Sequence, residues 1–206
     1  FTGRLPPEIG MLCPNYLSVA ENQIMASTAQ DWEFMTLLTN CTRLRVLKLE
    51  GNMLGGVLPS SVGNLSAQLQ VLYVGYNMIS GTIPFGISNL IRLNYLTLSH
   101  NQFTGVLPES MGRLNLLQAL FMHDNMLTGF IPSSLGNMTQ LLSLGAWGNK
   151  FEGPLPASLG SLKEITGIDL SYNKFTGPLP KEIFNLSSLS NTLDLVGNYF
   201  AGPLPP

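Results

Sequence analysis

The chain of 206 residues carries 10 Lys and Arg against 12 Asp and Glu, for a formal net charge of −2. That balance gives no electrostatic reason to expect nucleic acid or an anionic membrane as partner. A content of 45% hydrophobic and 11% charged residues can bury a continuous core and is not that of a disordered chain. No run approaches the roughly 18 apolar residues of a membrane span, and Phe1 opens no basic, apolar, small-residue leader.

The elements fall in one repeating frame along the chain. Phe1-Thr2-Gly3 and Leu5-Pro6 read as the second half of a repeating unit. Cys13-Pro14-Asn15-Tyr16 then leads into a strand with about two residues fewer than later units carry. After Asn22 comes a lengthened, irregular repeat over 23–52. Within it, Asp31 to Leu38 predicts a short helix, with Asp31 as its cap and Trp32, Phe34, Leu37 and Leu38 as its apolar side. From there the frame is regular: Asn52, Asn77, Asn101, Asn125, Asn149, Asn173 and Asn198 each follow a Leu-x-Leu-x-x pattern or a close variant. Glycine stands four residues after each, from Gly56 to Gly202, and proline seven after, from Pro59 to Pro205. Matches this regular define a repeat with a period of about 24, and periods of roughly 20–50 residues mean stacked architectures.

The residue types explain the frame. Leucines such as Leu44, Leu47 and Leu49, or Leu93, Leu96 and Leu98, point inward from a short strand. A buried asparagine can bond backbone groups of its own turn and of a neighbouring coil, so stacked asparagines form a ladder. Glycine permits a close turn, and proline ends sheet pairing for want of an N–H. One unit cannot bury its apolar face, whereas a stack shares one elongated core. The expected fold is an α/β repeat solenoid: a curved superhelix with a concave parallel sheet and short 3-10 or irregular convex segments. It forms one domain over 1–206, with about eight repeats. Neither end supplies a polar cap, so a fragment of a longer solenoid is expected.

The unit Leu-x-x-Leu-x-x-Leu-x-Leu-x-x-Asn-x-Leu/Phe-x-Gly-x-Ile/Leu-Pro resembles the plant-specific class of leucine-rich repeats over essentially the whole chain. Asp31-Trp32-Glu33-Phe34 with Leu38-Thr39-Asn40-Cys41-Thr42, inside the lengthened repeat, resembles the subfamily-twelve receptor-like kinases. That resemblance implies a longer protein with a signal peptide, this ectodomain, a membrane helix and a cytoplasmic Ser/Thr kinase. It implies a place on the extracellular side of the plasma membrane and, by its immune-receptor members, bacterial peptides or proteins as ligands. A co-receptor would make its contacts near a C-terminal cap. The pattern is departed from at Cys13–Tyr16 and at Ala146, where a core leucine is expected. Cys13 and Cys41 would occupy the same place in adjacent coils and could bond. Free buried thiols are the expectation, because repeats of this type often bury a small residue at the place of Cys41.

Outward-pointing strand residues line the concave face in columns that repeat about every 4.8 Å. Four residues before each asparagine the column runs Ser18, Lys48, Tyr73, Thr97, Phe121, Gly145, Asp169, Asp194. Two before, it runs Ala20, Glu50, Gly75, Ser99, His123, Trp147, Ser171, Val196. One before, it runs Glu21, Gly51, Tyr76, His100, Asp124, Gly148, Tyr172, Gly197, and Tyr95 joins from six before. Tyr73, Tyr76, Tyr95, His100, Phe121, His123, Trp147 and Tyr172 therefore fall within five neighbouring repeats on one face. Exposed aromatics at this density point to a ligand, an extended peptide or a protein edge. A sheet surface that simply favours aromatics is the plainer alternative.

His100, His123 and Asp124 invite a metal or pH-sensing reading. Two imidazoles and a carboxylate on an open face are better read as ordinary polar surface, so no metal and no cofactor are expected. No nucleophile turn, preformed oxyanion site or phosphate loop accompanies them, so no catalytic residues are assigned and the chain is not expected to be an enzyme. Four Asn-x-Ser/Thr sequons, at Asn40, Asn64, Asn137 and Asn185, are candidate glycosylation sites. Three of them stand twelve residues after a ladder asparagine, on the side away from the strands. The leading functional reading is ligand recognition by a cell-surface receptor kinase. A secreted inhibitor resembling the polygalacturonase-inhibiting proteins, or a truncated decoy, is the alternative.

Overall fold

The computed structural model describes residues 1–203, so Pro205, the last proline of the frame, lies outside the described residues. Each repeat makes one coil of a solenoid with strands on two of its sides. The concave strands are β2 (Tyr16–Ser18), β4 (Val46–Lys48), β6 (Val71–Tyr73), β8 (Tyr95–Thr97), β10 (Ala119–Phe121), β12 (Ser143–Gly145), β14 (Gly167–Asp169) and β16 (Thr192–Asp194). They pair in sequence order as an eight-stranded parallel sheet. Register is strict: Leu47, Leu72, Leu96, Leu120, Leu144, Ile168 and Leu193 stand opposite one another along the stack. The central residue of each strand points inward, and from Leu47 to Ile168 these side chains are at most 2% exposed.

A second sheet was not anticipated. It comprises β1 (Thr2–Gly3), β3 (Gln23–Ala26), β5 (Met53–Val57), β7 (Met78–Thr82), β9 (Gln102–Gly105), β11 (Met126–Gly129), β13 (Lys150–Gly153), β15 (Lys174–Gly177) and β17 (Tyr199–Phe200), again all parallel. The asparagines create it. Asn125 donates to the carbonyls of Met122 and His123 in its own coil and of Leu98 in the preceding coil, while its Oδ1 accepts the N–H of Phe103 in the preceding coil. Asn77, Asn101, Asn149 and Asn173 repeat this pattern. Each carboxamide thus holds the second-sheet strand of one coil at a fixed offset from the next. Proline then ends the pairing as expected, and its carbonyl accepts the N–H three residues on to open a 3-10 turn, as Pro59 does for Val62. Such turns span Pro7–Met11, Ser60–Asn64, Phe85–Asn89, Glu109–Arg113, Ser133–Asn137 and Ala157–Ser161.

Behind the ladder the core is continuous. Phe103, Phe151 and Phe175 are fully buried, and Phe151 and Phe175 stack at 6.2 Å. Ala146, the small residue in a leucine position, is fully buried as well.

Two short helices replace turns on the convex side: α1 (Glu33–Leu38) and α2 (Lys181–Phe184). α1 confirms the expected helix but corrects its details. Asp31 is not its cap. The Asp31 carboxylate instead accepts the N–H groups of Ser27 and Thr28 and pairs with Arg4 at 2.9 Å. These bonds, the two backbone donors foremost, hold its pKa at about 2 although burial opposes them. Trp32, Phe34 and Leu38 are buried as expected, yet Met35 rather than Leu37 completes the buried face. The Trp32 indole N–H is satisfied by the Gly55 carbonyl at 3.0 Å. α1 lies against Pro7–Met11 at a distance only glycine allows: a Cβ on Gly10 would stand 2.6 Å from the Phe34 carbonyl oxygen.

The expectation of free thiols is also corrected. Cys13 and Cys41 form a disulfide, with Cα atoms 4.8 Å apart. The two-residue shortening before β2 puts them at equivalent points of adjacent coils, and that registry outweighs any preference for a small free residue. Among the described residues, no helix is long and apolar enough to cross a membrane.

Candidate functional site

After each concave strand the chain must turn sharply to bring the asparagine inward. It does so at the residue immediately before the asparagine, which lies in the left-handed region in all eight coils: Glu21, Gly51, Tyr76, His100, Asp124, Gly148, Tyr172 and Gly197, with φ between 50° and 69°. Side chains dislike this conformation by roughly 1–2 kcal/mol. Five of the eight positions nonetheless carry one. The turn presents these side chains at the rim of the concave face, where Tyr76 and Tyr172 are 57% and 65% exposed.

Five of the eight predicted binding residues form one contiguous run. The rings of Tyr76 and His100 stack at 4.1 Å, His100 meets His123 edge-on at 5.0 Å, and His123 lies flat on Trp147 at 3.5 Å. Phe121 joins edge-on to His123 at 6.1 Å. The run crosses four coils, from the one closed by Asn77 to the one closed by Asn149. Tyr73 stands apart beneath the Lys48 ammonium, 5.0 Å from its ring centre. Tyr95 is half-exposed and Tyr172 projects alone over Gly197.

His123 is only 8% exposed, and its Nδ1 is buried with no hydrogen-bond partner among the described residues. Burial pushes its pKa down to about 4, with the charge of His100 acting the same way and Asp124 and Asp169 opposing. The imidazole is therefore a neutral, aromatic part of the surface near pH 7. His100 Nε2 lies 3.4 Å from Asp124 Oδ2. Donor atoms of His100, His123 and Asp124 all lie within 4.8 Å of one another, so the trio could converge on a cation. His123 lacks the carbonyl or carboxylate partner that usually orients a metal-ligating imidazole, which argues for a stacked aromatic instead.

Beside this run lies a cavity of about 240 Å³ on the concave face. Its floor is Gly145 and Gly167, its aromatic wall is Phe121 and Trp147, and its far side includes Asp169 and Thr192. A Cβ on Gly145 would stand 2.7 Å from Trp147 Cζ3 and 2.9 Å from Phe121 Cδ1, so both rings lie over that glycine. Glycines and aspartates in the strand columns are the sequence signal for this cavity, which the aromatic columns alone do not reveal.

All four sequon asparagines are exposed. Asn64 and Asn137 end 3-10 turns, Asn185 follows α2, and Asn40 follows α1, all on convex segments.

Stacked coils and a ladder of buried asparagines thus carry a run of aromatic rings on the concave face. The chain belongs to the leucine-rich-repeat family: the family model for a leucine-rich repeat region matches residues 25–175. In sequence it is 60% identical over 77 residues to a protein named as a probable LRR receptor-like serine/threonine-protein kinase from Arabidopsis thaliana. That match covers 37% of this chain and 8% of the relative. In structure it matches the plant peptide hormone receptor RGFR1 in complex with RGF2, with a TM-score of 0.89 and 34% identity over 97% of this chain and 31% of that one. It also matches the LRR ectodomain of the Arabidopsis receptor kinase HAESA in complex with an N-terminally extended IDA peptide hormone. There the TM-score is 0.87 and the identity 33%, over 99% of this chain and 34% of that one. The matched stretch thus spans less than a tenth of that sequence relative, the chain aligns with about a third of each of the two receptor structures, and it is homologous to plant leucine-rich-repeat receptor kinases in their non-catalytic repeat region.

Proposed function

We propose that this chain is a ligand-recognition stretch of the extracellular domain of a membrane receptor-like Ser/Thr kinase, and that it takes an extended peptide on its concave face. The observation that carries the reading is the contiguous run from Tyr76 through His100 and His123 to Trp147, with Phe121 beside it. Large rigid rings at the centre of a face are the usual anchors of binding energy. Peptide hormones in the receptors with which this fold aligns support the same ligand class. Within this reading the chain is one solenoid over 1–206, sited on the outer side of the plasma membrane. Glycans at Asn40, Asn64, Asn137 and Asn185 would clothe the convex segments and leave the concave face open. A bacterial peptide is a fitting source, given the resemblance of the Asp31–Phe34 block to immune receptors. A co-receptor would bind outside this stretch.

Calorimetry of the glycosylated ectodomain against a panel of bacterial and endogenous peptides tests the reading. Phe121→Ala or Trp147→Ala should each weaken a bound peptide by roughly thirtyfold or more, the hot-spot scale of about 2 kcal/mol. Binding that survives both changes, or a folded ectodomain that binds no peptide of a broad panel, would sink it.

A further inference from the structure

Resting on that reading, we infer that the cavity over Gly145 and Gly167 is a specificity pocket for a basic side chain, arginine above all, of the peptide ligand. The argument begins with shape. Outward positions elsewhere in these two strand columns carry side chains such as Tyr95, Ser143 and Phe121, whereas Gly145 and Gly167, diagonal to one another on the adjacent strands β12 and β14, carry none. The two glycines differ in what surrounds them. Gly145 is roofed by Phe121 and Trp147, while the nearest atom to a Cβ on Gly167 is Thr192 Cβ at 3.9 Å. The cavity therefore opens over Gly167 and runs back against the two rings, a slot suited to an elongated guest.

Charge then selects the guest. Asp169 lines the cavity, and Asp194 is its register partner on the next strand. Asp169 Oδ1 accepts the N–H and hydroxyl of Ser171, and Asp194 Oδ1 accepts the N–H of Val196. Their Oδ2 atoms make no such bonds among the described residues, and neither carboxylate has a cationic partner there; the ion pairs present join Arg4 to Asp31 and His100 to Asp124. Carboxylates at partner positions of strands about 4.8 Å apart repel one another unless a cation lies between them. A ligand side chain with an apolar stem and a cationic head satisfies both halves of the slot. Its stem or planar head covers Trp147 and Phe121, and its charge meets Asp169 and Asp194. Arginine fits better than lysine, since guanidinium both stacks on rings and forks onto carboxylates.

The test selects a phage-displayed library of random peptides on the glycosylated chain, then measures the enriched peptides by calorimetry. The expected result is a recurrent Arg or Lys whose replacement by citrulline, which keeps the shape and removes the charge, weakens binding at least tenfold. Asp169→Asn should do the same to the arginine peptide and little to the citrulline one, because asparagine still accepts from Ser171. Gly167→Leu should block both, by filling the slot at a position with room for the side chain. Enriched peptides that need Trp147 but show no basic preference, or that ignore Asp169→Asn, would overturn the basic pocket and leave the peptide reading standing. Enrichment of no peptide at all would overturn both.

Discussion

Removing the carboxamide of Asn125 would strip the Phe103 N–H of its acceptor inside the stack, whereas the carbonyls of Leu98, Met122 and His123 would each lose one donor and keep another, from Asn101, Asn149 and the His100 N–H. An orphaned buried backbone group costs about 1–3 kcal/mol, so Asn125→Leu should lower stability by roughly that much in urea denaturation even though the volume is kept. The left-handed residue before each asparagine is the other local necessity. Glycine at three of these positions hinted at it, but Glu21, Tyr76, His100, Asp124 and Tyr172 concealed it, since sequence preference alone argues against side chains there. His123 adds a pH dependence. Its folded pKa of about 4 lies below its ordinary value, so between about 4 and 6.5 the unfolded chain binds the extra proton. Stability from this group is therefore complete above about pH 6.5 and drains away as pH falls towards 4. Melting temperatures across that window should fall more steeply for the natural protein than for His123→Phe, and parallel curves would refute the burial of a neutral imidazole.

Among the elements, the concave strands were legible because Leu-x-x-Leu-x-Leu spacing sets an inward period of two over each short strand. The second sheet was not, because its strands are short and seven of the nine contain the repeat glycine, which reads as a turn. Only the asparagine bonds between coils reveal that the segment pairs. α1 was legible in place but not in capping: Asp31 found two free N–H groups at Ser27 and Thr28, which bound it before the helix could. The disulfide was open on the sequence and depends on a coil-to-coil registry that a gap of about two residues sets. Cross-linking residues 28 apart should stabilise by roughly 3–4 kcal/mol through the unfolded chain. Cys13→Ser with Cys41→Ser should accordingly raise hydrogen exchange in β2 and α1, with β10 and β12 unchanged, because coils in a solenoid support chiefly their neighbours.

At the scale of the whole molecule, the aromatic cluster was foreseen as a set and resolved only in part. Column membership put Tyr76, His100, Phe121, His123 and Trp147 on one face, and the structure adds which rings touch. It also separates Tyr73, drawn to Lys48, from the run. Side-chain direction over a curved sheet depends on neighbours one coil away, which spacing along a single chain does not encode. The parallel stack has one further effect, on measure. Coils recur about every 4.8 Å, whereas an extended peptide advances about 3.3 Å per residue and shows alternate side chains to one face. The two scales act as a vernier. Four coils, about 19 Å, coincide with six residues, about 20 Å. Tyr76 and Tyr172, equivalent and exposed, stand four coils apart, so a straight guest along the axis comes back into phase across just that interval. A concave face built to this measure would sort guests by the spacing of their anchors as well as by their chemistry.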